Sequence, residues 1–202
     1  MKIAFVGKGG AGKTTVSSLF CLYYSKKKSV LAIDADINMH MAELLGLNAT
    51  SSDLLLSEKY PSDKIRTWLR GDNSRIKNNA EFKKSTPPGR GSRIIDITDN
   101  NWFINNYTRP ISKNLHLATV GSYSENGLAS SCYHNNLAIL ENILSHTNDS
   151  GVVAVDMVAG TDAFASTLYA QFDMLVFAVE PTVRGLKVLD DYLRLAEAGG
   201  VA

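Results

Sequence analysis

The chain has 202 residues, of which 45% are hydrophobic, so it can bury one sizeable core but is too short for two ordinary domains; we expect a single domain over 1–202. Its 21 Lys and Arg balance 20 Asp and Glu, which excludes recruitment of nucleic acid or an anionic membrane by a global electric field. No apolar stretch approaches the roughly 20 residues of a membrane span. We expect no cleavable signal peptide, because the first apolar run is followed at once by a glycine loop. Cys21 and Cys132 are too far apart in sequence to suggest a disulfide framework. These features favour the cytoplasm.

Apolar runs and amphipathic segments alternate along much of the chain. Short apolar runs predict buried strands at 2–7, 29–34, 152–156 and 174–179. Apolar residues at helical spacing predict helices at 14–27 and 38–45, around 137–144 and around 186–196. From about 53 to 114 turn-forming residues accumulate, so we expect a polar, basic insertion with one strand at 93–97. The alternation predicts an α/β fold with a doubly wound, mostly parallel sheet and helices on both faces.

A glycine-rich loop lies between the first predicted strand and the first predicted helix. Residues 7–14 read GKGGAGKT and satisfy G-x-x-x-x-G-K-[ST], the pattern of P-loop nucleoside triphosphatases. Glycines let successive N–H groups converge on phosphate oxygens, and the helix N-terminus adds its positive dipole end. Lys13 is predicted to reach the β- and γ-phosphates, Thr14 to complete a Mg²⁺ shell and Thr15 to contact the α-phosphate. The other predicted nucleotide contacts are Gly9, Gly10, Ala11 and Gly12. The alternative is a glycine-rich turn before an ordinary helix.

A second lysine, Lys8, begins the same loop. The segment 8–15, KGGAGKTT, resembles the deviant Walker A motif of the MinD/ParA (SIMIBI) family of P-loop ATPases, and among its members the CooC-type accessory ATPases of nickel insertion into carbon-monoxide dehydrogenase. The resemblance implies an ATP-dependent homodimer with slow, partner-stimulated hydrolysis. It also implies that Lys8 reaches the phosphates of the partner subunit, so that Lys8 and Lys13 are both catalytic; an extra cation there would stabilise transition-state charge. The alternative for Lys8 is a solvated loop lysine, and the choice of ATP over GTP rests on the resemblance alone.

Two acidic segments follow predicted strands. Asp34 and Asp36 end the second strand, at the carboxyl edge where ligands bind in open α/β sheets. In the resembled family the second acid positions the attacking water, which makes Asp36 the candidate for that role and leaves Asp34 nearer the Mg²⁺ shell. Asp156 and Gly160 match D-x-x-x-G, a form that implies Mg²⁺ binding by Asp156 and a γ-phosphate contact from the Gly160 N–H. The alternative for Asp34 and Asp36 is that each caps the helix that follows. CooC-type members usually have proline where this chain has Ile37.

Cys132 and His134 are the candidates for a second metal site. A Cys-x-His pair from each of two chains would supply the four ligands that Zn²⁺ prefers, and CooC-type proteins resemble this arrangement with a Cys-x-Cys pair. We therefore consider Zn²⁺ or Ni²⁺ binding at a dimer interface as a hypothesis. The alternative is a buried cysteine beside an exposed histidine. Cys21 is expected in the core, and His40, His116 and His146 on the surface or at caps.

The predicted function is a Mg²⁺-dependent, ATP-hydrolysing dimeric switch that assists metallocentre assembly in a client enzyme. The alternative is a ParA/MinD-like ATPase of partition or positioning that binds DNA or a surface partner, because nine Lys and Arg lie between 62 and 93. A ligase domain of the cobyrinic acid diamide type would need a glutaminase partner. Family members usually run about one βα unit further, so we expect a C-terminally short form whose base contacts cannot be assigned.

Overall fold

The computed structural model describes residues 1–48, 54–98, 100–121, 137–158 and 167–200. The strands are β1 (Lys2–Gly7), β2 (Val30–Ala35), β3 (Arg109–Ser112), β4 (Leu115–Thr119), β5 (Val152–Met157) and β6 (Met174–Ala178). The helices are α1 (Lys13–Tyr24), α2 (Met41–Leu44), α3 (Lys59–Arg70), α4 (Trp102–Tyr107), α5 (Leu137–Ser145) and α6 (Val183–Ala198), with a 3₁₀ turn at Thr167–Gln171. Strands and helices alternate in these residues except where α2, α3 and α4, and then β3 and β4, follow one another.

The strands form one six-stranded sheet in the order β3-β4-β2-β5-β1-β6. All pairings are parallel except β3 with β4, which is antiparallel. In this register Asp34 of β2 lies opposite Asp156 of β5, and Gly7 of β1 lies opposite Ala178 of β6. The order therefore brings the carboxyl ends of the four predicted strands to one edge.

The two faces of the sheet carry separate apolar layers. Along β1, Ile3 and Phe5 pack with Cys21 of α1, whereas Ala4 and Val6 pack with the side of the sheet that α3, α4, α5 and α6 cover. Alternate side chains of a strand point to opposite faces, so a continuous apolar run is what a strand buried on both faces requires. The prediction of a doubly wound, mostly parallel α/β fold is confirmed.

The predicted strand at 93–97 is wrong. Ile95 alone forms a bridge, to Thr147: its N–H donates to the His146 carbonyl at 2.8 Å, and its carbonyl accepts from Asn148. The chain then turns because the Asp96 carboxylate accepts the Thr98 N–H, and one bridged residue does not make a strand.

The region from 54 to 121 is more ordered and more buried than its polar sequence indicates. It contains α3, α4, β3 and β4. The sequence predicts only one strand in this region, at 93–97, where none of these elements lies. Its scattered apolar side chains join the core layer on the α5 side; they include Ile76, Phe82, Ile95 and Ile97. These contacts are distant in sequence, and local periodicity does not report them.

His146 is completely buried, which corrects the expectation of a surface position, but it directly follows α5 and contacts a carbonyl of its last turn, as the alternative expectation of a capping residue requires. Its Nδ1 is 2.9 Å from the Asn142 carbonyl, and its ring packs against Phe82. Burial lowers the pKa of His146, and the Asn142 contact opposes that shift. Cys21 is in the core as expected. Within the described ranges, no helix combines the length and apolar character that crossing a membrane requires.

Candidate nucleotide-binding site

An open cleft of about 910 Å³ lies at the carboxyl edge of the sheet. The loop after β1 lines one side through Gly9, Gly10, Gly12, Lys13, Thr14 and Thr15. The segment after β2 lines the other side, with Asp36 among its residues. The structure therefore brings the loop and the proposed water-positioning acid to one cavity, large enough for a small-molecule ligand.

Glycine is required at Gly7 and Gly12 for two different reasons. Gly12 is the N-cap of α1 with a φ of +89°, a conformation that L side chains rarely adopt. Gly7 has a φ of +141°, and a Cβ placed there would lie within 3.0 Å of the Ala178 carbonyl, which is backbone and cannot rotate away. The loop therefore leaves β1 at close contact with β6 and turns directly into the N-terminus of α1.

Lys13 is held inside the loop. Its side chain is 4% exposed, and its ammonium lies 3.3 Å from the carbonyl of Lys8, which also accepts the N–H of Ala11 at 3.2 Å. The ammonium and the N-terminal N–H groups of α1 lie at the same end of the cleft. An anion bound there meets both a full positive charge and the positive end of the helix dipole.

Asp156 is the acidic residue most suited to Mg²⁺. It is completely buried at the end of β5, and among the described residues neither carboxylate oxygen has a hydrogen-bond partner of good geometry. Burial raises its pKa to about 6; the neighbouring Thr14 hydroxyl and the Lys13 charge lower it, and Asp36 raises it. A buried acid without a full set of partners beside a threonine hydroxyl fits Mg²⁺, which usually takes one or two protein oxygens together with phosphates and water.

Asp34 and Asp36 have different environments. Asp34 is 1% exposed, and its two oxygens accept the N–H groups of Asp36 at 3.1 Å and Met41 at 2.9 Å. Burial raises the pKa of Asp34 to about 7, against the opposing effect of these hydrogen bonds. Asp36 is partly exposed to the cleft and accepts from Asn38. Asp34 therefore fixes the backbone of the segment that presents Asp36, and its proposed place near the Mg²⁺ shell stays a prediction.

Sequence reasoning missed Glu180 as a site residue. It follows β6, and its carboxylate accepts a hydrogen bond from the Lys8 ammonium at 3.0 Å. The signal that could have indicated it is positional, since Glu180 follows a parallel strand whose carboxyl end lies at the same edge of the sheet as Asp34 and Asp156.

Three predicted site residues, Gly160, Cys132 and His134, lie outside the described residues. Within the ranges that the structure describes, no three His, Cys, Asp or Glu side chains cluster as a metal-binding group. The roles assigned to these three residues therefore stay predictions.

Comparison with known proteins agrees with this geometry. Residues 3–195 match the family described as "CbiA: CobQ/CobB/MinD/ParA nucleotide binding domain". The chain belongs to this family. It is thus a nucleotide-binding domain of the MinD/ParA type, and the resemblance noted from its phosphate loop is confirmed.

Individual family members are similar over most of the chain. The carbon monoxide dehydrogenase accessory protein CooC of Rhodospirillum rubrum is 29% identical over 204 residues, covering 100% of this chain and 71% of that protein. An uncharacterized ATP-binding protein of Methanocaldococcus jannaschii is 25% identical, covering 93% of this chain and 70% of that protein.

Solved structures of the family share the fold. A ParA family ATPase from Chlorobium tepidum superposes with a TM-score of 0.60 at 15% identity, covering 98% of this chain and 68% of that one. A chain of the MinC:MinD cell division protein complex of Aquifex aeolicus gives a TM-score of 0.53 at 19% identity, covering 99% of this chain and 64% of that one. At these identities the likeness supports the fold and carries no statement about partners.

Proposed function

We propose that this chain is a Mg²⁺-dependent ATPase that dimerises around nucleotide and assists metallocentre assembly in a client enzyme. The observation that carries the ATPase part is that buried Asp156 interacts with Thr14, buried Lys13 and cleft-facing Asp36 at one phosphate loop. A cation, an acid suited to Mg²⁺ and an acid open to water are the groups that phosphoryl transfer to water needs.

Each group has a distinct task in this proposal. Lys13 neutralises charge on the phosphates, while Thr14 and Asp156 would hold Mg²⁺, which supplies further charge stabilisation when bound. Asp36 orients a water for in-line attack on the γ-phosphate, and Lys8 of the partner subunit adds positive charge. The Gly160 N–H contacts the γ-phosphate, so that hydrolysis changes the local structure and with it the affinity for a client.

The similarity to CooC over the full length of the chain supports the client assignment. Cys132 and His134 are the candidate ligands for Zn²⁺ or Ni²⁺ between two subunits. The DNA-binding alternative has less support, because some side chains of the basic segment make contacts within the fold. Arg66 donates to the Asn142 side chain, and Arg93 lies over the ring of Trp68.

Phosphate release with ATP and with GTP, measured for wild type and Asp36→Asn, tests the ATPase proposal. The wild type should hydrolyse one of the two nucleotides. Asp36→Asn should retain nucleotide affinity and lose most of its turnover, on the order of 10²-fold, because the loss of a base or water-orienting group affects the chemical step. A matched control is Glu43→Gln, which neutralises an acid that also lines the cleft.

Normal turnover in Asp36→Asn would remove the catalytic assignment, and no phosphate release from either nucleotide in wild type would remove the ATPase proposal. The client part is tested separately by measuring bound Zn²⁺ and Ni²⁺ in wild type and Cys132→Ala. Equal metal content in the two proteins would contradict a metal site at Cys132, and salt-sensitive retention on DNA in the presence of ATP would favour the alternative.

A further inference from the structure

The ion pair between Lys8 and Glu180 lies inside one chain. The two side chains are 39% and 30% exposed, so both are accessible at the surface while they contact each other at 3.0 Å. Lys8 is also the residue that the proposed function assigns to the phosphates of a second subunit. One ammonium on one lysine side chain cannot remain on Glu180 of its own chain and also move to a phosphate across an interface.

Glu180 is held firmly in this place. Its carbonyl accepts the N–H of Thr182, whose hydroxyl in turn accepts the N–H of Gly185 and caps α6. Gly185 lies so close that a Cβ there would come within 3.0 Å of the Glu180 carbonyl. A capped turn directly after β6 therefore fixes the backbone of Glu180, while α6 begins one residue after Thr182.

The Glu180 carboxylate also lies against the phosphate loop. One oxygen binds Lys8, and the other is 3.6 Å from the position that a Cβ of Gly10 would occupy. A bound triphosphate would bring several negative charges to the same loop, where they repel the carboxylate and attract the ammonium. Nucleotide binding therefore weakens the pair that holds Lys8 in its own chain.

We infer that Glu180 is a positioning residue that retains Lys8 within its own chain until nucleotide and a second copy of the chain compete for it. This inference rests on the proposed dimeric ATPase. The pair opposes dimer formation, because it must break before Lys8 can cross the interface. Glu180 thus disfavours dimer formation between two chains that lack nucleotide, and a bound triphosphate weakens this effect.

The expected effect is modest because the pair is partly exposed. Exposed ion pairs change equilibrium constants by about 1.5- to 5-fold. Glu180→Gln, which keeps the shape and removes the charge, should tighten the dimer formed with Mg²⁺ and a non-hydrolysable ATP analogue by about 1.5- to 5-fold in Kd. The difference from wild type should shrink as salt is raised. Glu197→Gln, on the exposed surface of α6, is the matched control and should leave the dimer Kd unchanged.

Two measurements separate this role from a merely structural one. The first compares dimer Kd by sedimentation for Glu180→Gln in the wild-type and Lys8→Ala backgrounds; the tightening should vanish without Lys8. The second measures acylation of Lys8 by an amine-reactive reagent in the nucleotide-free chain, read by mass spectrometry. Labelling of Lys8 should rise about 1.5- to 5-fold in Glu180→Gln, whereas labelling of exposed Lys27 should not change.

Unchanged or weaker dimerisation of Glu180→Gln, or equal tightening in the Lys8→Ala background, would overturn the inference. If Lys8→Ala does not dimerise at all, the labelling experiment decides, and an unchanged Lys8 rate overturns it. A wild-type chain that neither hydrolyses ATP nor dimerises with nucleotide instead removes the proposed function. The two failures are therefore distinguishable.

Discussion

The contact of Gly7 with β6 leads to the sharpest prediction about the site, for the substitution Gly7→Ala. The new Cβ would lie within 3.0 Å of the Ala178 carbonyl, between two strands that pair directly at these residues. A backbone φ of +141° adds strain of about 1–3 kcal/mol for a non-glycine residue. Overpacking against backbone adds about 1–3 kcal/mol. We expect a loss of about 2–6 kcal/mol in the free energy of unfolding, a large part of the stability of an ordinary domain.

Urea denaturation and binding of a fluorescent ATP analogue measure this loss, and Gly46→Ala is the matched control. Gly46 also has a positive φ, of +82°, but a Cβ there meets no atom within 4 Å. Its substitution should cost only conformational strain, about 1–2 kcal/mol, and leave nucleotide affinity intact. Gly7→Ala should lose affinity as well, because displacement of β1 from β6 moves the phosphate loop. Equal denaturation midpoints for the two variants would refute the close approach as the reason for glycine.

Three further predictions concern Mg²⁺, helix capping and acid stability. Asp156→Asn should fold but lose the Mg²⁺ dependence of nucleotide binding, as measured by titration with and without EDTA; retained Mg²⁺ dependence would contradict the assignment. Thr182→Ala should cost about 1 kcal/mol in urea denaturation by removing the cap of α6, and Thr182→Ser should restore most of it. Hydrogen bonds from Thr98, Ser150 and Asn148 hold the pKa of Asp96 below its ordinary value. Because the pKa of Asp96 is lower in the folded chain than in the unfolded chain, these hydrogen bonds stabilise the fold above about pH 4, and the stabilisation is lost as the pH falls further. Asp96→Asn should therefore remove this contribution to the loss of stability in acid denaturation. An unchanged dependence of stability on pH in the variant would contradict the assignment.

The sequence determined the local features of this protein. The phosphate loop was readable because glycines, Lys13 and Thr14 at fixed spacing follow a strand and open a helix, so that all its requirements lie within nine consecutive residues. Three core strands, β1, β2 and β5, were readable because burial on both faces demands an uninterrupted apolar run. The fourth predicted strand, β6, also forms, but it is the edge strand of the sheet and is only partly buried, which corrects the expectation of a buried strand there. Lys8 indicated the family because it belongs to the same short loop, so that it too can be read from the local sequence.

The tertiary structure decided which distant residues meet. The strand order places β5 between β1 and β2, and this sets Asp156 beside Asp34 although 121 residues separate them along the chain. It also places β6 on the other side of β1, so that the Glu180 carboxylate contacts the Lys8 ammonium. No local pattern encodes these contacts, because they depend on sheet register and on the packing of both faces at once. The burial of His146 against Phe82 has the same origin: long-range packing overrode a local sequence that looked polar and irregular.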